Sequence, residues 1–114
     1  MPSLFEPCGL VQMVGLRYGC VPVVRRTGGL ADTVIDVDAK PGAGGGSSPS
    51  VGRGFLFDGT DGASLDGALD RALRMYKERP AEWEALAADA LRVDNSWGGP
   101  AASYLELYKA ALRG

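Results

Sequence analysis

The sequence predicts an α/β fold, and three observations carry that reading. Val21, Val23 and Val24 form a β-branched run with little polar alternation, which suits a strand buried on both faces of a parallel sheet. Thr27-Gly28-Gly29 closes the run in a turn that needs glycine's freedom at positive φ. Three later stretches repeat apolar residues at helical spacing. The resulting order of helix, strand, turn, strand and three helices belongs to the α/β class, with few strands and the helices gathered towards the C-terminus.

Taken in order, Pro2 to Pro7 is a proline-bounded loop carrying one acid, Glu6. Gly9 to Tyr18 reads as a short helix, with Leu10, Met13 and Val14 on its apolar face, and Gly19 stops it. Val21 to Arg26 is the buried strand, Leu30 to Thr33 one helical turn, and Val34 to Val37 a second short strand. The stretch from about 40 to 53, rich in Gly, Ser and Pro and without periodicity, is expected to be a flexible loop insertion. Its Gly-Gly-Gly lacks the following Lys-Ser/Thr of a phosphate-binding loop.

Gly54 to Phe57 is a third strand, turned by Asp58-Gly59. Leu65, Ala68, Leu69, Ala72, Leu73 and Tyr76 then mark an amphipathic helix from Asp61 or Ser64 to about Glu78. Pro80 starts another, with Trp83, Leu86, Ala87, Ala90 and Leu91 on one stripe. Ser96 is placed to cap a last helix whose inward residues are Ala101, Tyr104, Leu105, Tyr108 and Leu112. So few short strands are not expected to form a parallel sheet covered on both faces. The neighbour of Val21 to Arg25 is expected to come from residues outside the chain.

Composition narrows the function classes. At 114 residues, 46% apolar and 23% charged, the chain is ordinary globular material of about one domain, treated as a single unit over 1–114. A net charge of −2 gives no basic footprint for nucleic acid or a membrane surface. No apolar run approaches the roughly 20 residues of a membrane span, and no leader pattern is visible. Two cysteines, Cys8 and Cys20, with no His, suit a reduced pair of packed thiols better than a disulfide or a zinc site, so no metal is expected.

The chemistry gathers at the first loop. A helix beginning near Gly9 offers free N–H groups and a positive dipole end to a phosphate. Glu6 at its entrance could accept hydrogen bonds from sugar hydroxyls and stabilise a developing oxocarbenium ion. On spacing alone, Glu6 is better read as an acid that simply favours a helix N-terminus. Arg25 and Arg26, ending a strand beside the glycine turn, could compensate a diphosphate or simply solvate the end of the sheet. Trp83, Trp97, Tyr104 and Tyr108 could stack on a glucan, but their helical spacing favours core packing.

Glu6-Pro7-Cys8-Gly9-Leu10, Gln12, Tyr18-Gly19, Val21-Pro22 and Arg25-Arg26-Thr27-Gly28-Gly29-Leu30, with Ser96-Trp97 and Tyr104 to Tyr108 later, together resemble the starch and glycogen synthase family. The resemblance covers most of the chain, outside the 40–53 insertion. It implies a retaining glucosyltransferase of the GT-B type, with two Rossmann-like domains, that extends an α-1,4-glucan from ADP-glucose without a metal or other cofactor. It implies that Glu6 contacts the donor glucose, that the backbone at Cys8, Gly9, Leu10 and Val11 lines the sugar and phosphate, and that Cys8 acts through its main chain. Arg25, Arg26, Thr27, Gly28 and Gly29 would shape the cleft or reach a phosphate.

Departures from the pattern are few. Val11 stands where the family commonly has Thr, which removes a hydroxyl beside the phosphate. Val14 holds the place where related transferases carry a second Glu, as expected of this subgroup. Asn95 replaces an aromatic, and Gly98-Gly99 loosens the start of the last helix. The acceptor-side domain, the first half of the donor domain, a basic pair and an active-site His of the family have no counterpart in the sequence. It is therefore expected to be the C-terminal part of the nucleotide-sugar domain, a fragment that needs the remainder of the synthase and is inactive alone. The alternative is a non-catalytic module that binds glucan or enzyme. Gln12 to Gly19 and Asp36-Val37-Asp38 lean towards the plastid enzymes, and so towards a plastid location.

Overall fold

The computed structural model describes residues 1–40 and 52–114. Among them the elements run α1 (Val11–Arg17), β1 (Val23–Arg25), α2 (Gly28–Thr33), β2 (Val34–Asp36), β3 (Gly52–Phe57), α3 (Gly62–Glu78), α4 (Pro80–Arg92) and α5 (Gly98–Arg113). The expected insertion at 40–53 lies mostly outside the described residues. Its last two positions are corrected: Gly52 and Arg53 open β3, because they stand opposite Val34 and Ile35 of β2.

All three strands are parallel, in the order β1-β3-β2, so the last strand in sequence is the central one. Alternation along the strands divides the core. Val24, Leu30, Val34 and Leu56 cluster on the face covered by α2. Phe55, Ala72, Met75 and Leu86 cluster on the face covered by α3 and α4, with Val21, Val23 and Trp83 packed around them. The expectation that so few strands could not be covered on both faces is thus corrected. The central β3 is buried at five of its six positions, between α2 on one side and α3 and α4 on the other, whereas β1 and β2 are buried at one position each.

The neighbour of β1 is likewise found within the chain, since Val23 to Arg25 pair with Phe55 to Phe57. On the outer edge of β1, the Met1 ammonium donates to the Val23 carbonyl at 2.7 Å. The Arg25 N–H donates back to the Met1 carbonyl at 3.0 Å. That is the slanted pattern of one parallel bridge.

Helix positions agree with the periodicity, but several inward faces do not. In α1 the buried residues are Gln12 and Leu16, whereas Leu10 and Val14 are exposed. Gly9, at φ +62°, leads into the helix, and a side chain there would meet Gln12, Gly29 and Leu30. Leu16 fits because Gly52 has no Cβ to meet it. In α3 the small residues Ala68 and Ala72, with Met75, lie against the sheet, and Leu69, Leu73 and Tyr76 remain exposed.

Trp83 of α4 is half-buried, stacked 6.3 Å from Phe55 and edge-on to Tyr76 at 5.4 Å. The five residues expected to face inward on α5 are all exposed, and so is Trp97. No described element packs against that stripe closely enough to bury it. Ser96 is not the cap itself: Trp97 holds that place, and the Ser96 hydroxyl accepts a 3.4 Å hydrogen bond from the Gly98 N–H.

Candidate functional site

The loop carrying Glu6 is fixed from three sides. The first is the glycine turn. The Gly29 N–H donates to the Glu6 carbonyl at 2.8 Å. A side chain at Gly28 would collide with that carbonyl, and one at Gly29 with the carbonyl of Cys8. Gly28 also sits at φ +46°, where L side chains are strained. The Glu6 loop and the Thr27-Gly28-Gly29 turn, far apart in sequence, are therefore in backbone contact.

The second is Arg25, whose guanidinium donates to the carbonyls of Leu4 at 2.8 Å, Ser3 at 3.4 Å and Asp58 at 3.0 Å. These bonds tie the loop to the ends of β1 and β3. Arg25 is thus directed at main chain, and Arg26 is the more available cation. Arg26 is exposed, pairs with Asp58 at 3.0 Å, and lines a groove of about 480 Å³ with Asp36, Asp38, Leu56 and Arg71. Glu6 is not among the residues lining that groove.

The third is Gln12, in the first turn of α1. Its Nε2 donates to the Gly9 carbonyl and, at 2.7 Å, to the Thr33 hydroxyl. Thr33 in turn donates to the Gly29 carbonyl at 2.6 Å. Sequence reasoning treated Gln12 only as part of a pattern. The signal that could have found it is a polar residue one helical turn before Leu16, on the stripe that α1 buries.

Glu6 itself is half-buried, and its carboxylate accepts a 3.1 Å hydrogen bond from the Ser3 hydroxyl. Gly9 is buried, whereas Leu10 and Val11 are exposed at the start of α1, where first-turn N–H groups have no helical acceptor. Cys8 and Cys20 are free thiols, and both are exposed, which corrects the expectation that they are packed. The Cys8 side chain is exposed, and its carbonyl is set against Gly29. Among the described residues, no cluster of three or more His, Cys, Asp or Glu could hold a metal.

A charged strut in the wall of the groove was also missed. Arg71 of α3 pairs with Asp36 at 2.5 Å and Asp38 at 2.6 Å, and lies 5.5 Å from the centre of the Phe55 ring. Burial pushes the Asp36 carboxyl up. The Arg71 hydrogen bond, the N–H groups of Leu56 and Asp38, and the Arg71 charge outweigh that and hold it below its ordinary value. Asp36-x-Asp38 after an apolar strand was the available signal.

No family model matches the chain. It is 46% identical over 96% of its length to the glycogen synthase of Protochlamydia amoebophila, covering 21% of that relative. It is 47% identical over 99% to soluble starch synthase 3, chloroplastic/amyloplastic, of Solanum tuberosum, covering 9% of it. Among solved structures it superposes on the catalytic domain of starch synthase IV from Arabidopsis thaliana, determined with bound ADP and acarbose. That match has a TM-score of 0.80 at 39% identity, over 99% of this chain and 22% of that one. The chain therefore spans about a fifth or less of the length of these relatives. Their identities do not separate bacterial from plant enzymes.

Proposed function

The chain belongs to the starch and glycogen synthase family, and we propose that it forms the C-terminal part of the nucleotide-sugar domain of a retaining synthase. That enzyme transfers glucose from ADP-glucose to the non-reducing end of an α-1,4-glucan. The observation that carries the reading is the Gly29 N–H bond to the Glu6 carbonyl, which seats an acid-bearing loop under a glycine turn at the entrance to α1.

In this reading the Glu6 carboxylate meets the donor glucose and stabilises positive charge developing at its reacting carbon. The main chain at Cys8, Gly9, Leu10 and Val11 lines the glucose and the diphosphate, supported by the first-turn amides of α1. Arg26 and the Thr27 to Gly29 turn shape the cleft, and Arg25 holds the loop. Lacking a hydroxyl at Val11, the site binds the diphosphate through amides alone at that position. The isolated chain is inactive, and the remainder of the synthase supplies the acceptor side. The compartment is the plastid, on the strength of the plant relatives whose names place them in chloroplasts and amyloplasts.

The test is incorporation of labelled glucose from ADP-glucose into glycogen, by this chain alone and together with the remaining domains of a synthase. Incorporation is expected only in the combined sample, and Glu6→Ala is expected to remove it. Equal incorporation with Glu6→Ala would overturn the role of that carboxylate. Retention on glucan without incorporation in either sample would favour a non-catalytic module.

A further inference from the structure

Gln12 is only 3% exposed, and among the described residues the other large buried side chains are apolar. An aliphatic side chain there would pack α1 without placing an amide out of water, and burying an amide is unfavourable unless it is hydrogen-bonded. The orientation of this amide is set by chemistry. The Gly9 carbonyl can only accept, so the nitrogen must face it. Both Nε2 hydrogens are then used, on Gly9 and on Thr33, and Oε1 is buried without a partner among the described residues. A side chain kept with one unpaired oxygen is a poor device for stability.

The bonds it makes form a closed circuit. The Glu6 carbonyl accepts from the Gly29 N–H, and the Gly29 carbonyl accepts from the Thr33 hydroxyl. Thr33 accepts from Gln12, which also donates to Gly9. The two ends of the Glu6-Pro7-Cys8-Gly9 segment are thereby tied through α2 as well as through their own backbone. Gly9, at φ +62°, is the joint between the loop and α1, and the tie falls on its carbonyl.

Resting on the donor-site reading above, we infer that Gln12 is a positioning residue. Through Thr33 and Gly29 it holds the Glu6 carboxylate and the Cys8 to Val11 amides at the separation a glucose diphosphate requires. Rigid placement of this kind acts on the chemical step more than on gross affinity.

The test begins with amide exchange at Gly29 in the 114-residue chain, which reads local opening of the circuit without any ligand. Gln12→Met and Thr33→Val are expected to speed Gly29 exchange by up to about tenfold, the equivalent of one net hydrogen bond. Thr33→Ser, which restores the hydroxyl, is expected to return it to the wild-type rate. Gln12→Met is expected to move the unfolding midpoint little, because loss of the unpaired oxygen offsets the Gly9 carbonyl left without its donor. In the chain combined with the remaining synthase domains, kcat is expected to fall more than KM for ADP-glucose rises.

Unchanged Gly29 exchange in both Gln12→Met and Thr33→Val, or loss of protection in Thr33→Ser equal to that in Thr33→Val, would overturn the inference. So would a rise in KM at constant kcat. If the combined wild-type sample does not use ADP-glucose although the exchange pattern holds, it is the donor-site reading that fails. The circuit would then stand as a structural clamp.

Discussion

Gly28 and Gly67 show how differently the same residue type can act. At Gly28 the backbone has φ +46° and an added methyl would strike the Glu6 carbonyl, so strain and collision act together. Gly28→Ala is expected to cost about 1–3 kcal/mol of stability. Gly67 lies within α3 with open space where its Cβ would stand. Gly67→Ala is expected to add about 0.5–1 kcal/mol, because alanine loses less backbone entropy in a helix. Urea unfolding of the two variants beside the wild type checks both signs. Equal effects would mean that the Glu6 loop does not depend on close approach at the turn.

Between elements, the strut from α3 to the end of β2 carries an acid-sensitive part of the stability. The Asp36 carboxyl is held below its ordinary value in the fold, so its contribution is full above the unfolded carboxylate range. It fades as pH falls through the lower folded value. Asp36→Asn is therefore expected to be less stable than wild type at pH 7, with the gap shrinking below about pH 4. Unfolding midpoints measured across that range check it, and a gap independent of pH would assign the loss to packing.

The strut also marks where legibility ended. The three strands and the long helices were readable because β-branched runs and 3.6-residue repeats report local geometry. Which stripe faces inward was not, because it depends on tertiary partners, such as Thr33 for Gln12 of α1 and the elements beside α3 and α5. Of the candidate site, the meeting of Glu6 with Gly28 and Gly29 was accessible only through the family resemblance. Gln12 and Arg71 escaped because their partners lie across the fold: Gln12 on the stripe that α1 buries, and Asp36-x-Asp38 after an apolar strand, mark polar positions without naming what they bond.

Across the whole molecule, apolar surface is unevenly distributed. Leu4 to Val14, the Leu69-Leu73-Tyr76 stripe and α5 hold most of the exposed large side chains, with Trp97 at 77%, Tyr104 at 54% and Tyr108 at 62%. Patches of this kind associate in water unless they are covered. Sedimentation of the isolated chain is expected to show association rising with concentration. Removal of residues 97–114 is expected to reduce it without moving the unfolding midpoint, since no α5 residue is buried. A strictly monomeric full chain would oppose this.

The strand order has one more effect. Because β3 separates β1 from β2, the two earlier strands do not pair with each other, and the ladder that joins them waits until a ribosome has extended the chain to Phe57. Assembly of the sheet must wait for that residue to clear the exit tunnel and insert between them, a non-local closure that slows folding. Until then, the two edges that β3 will cover stand open to chaperones or to mispairing.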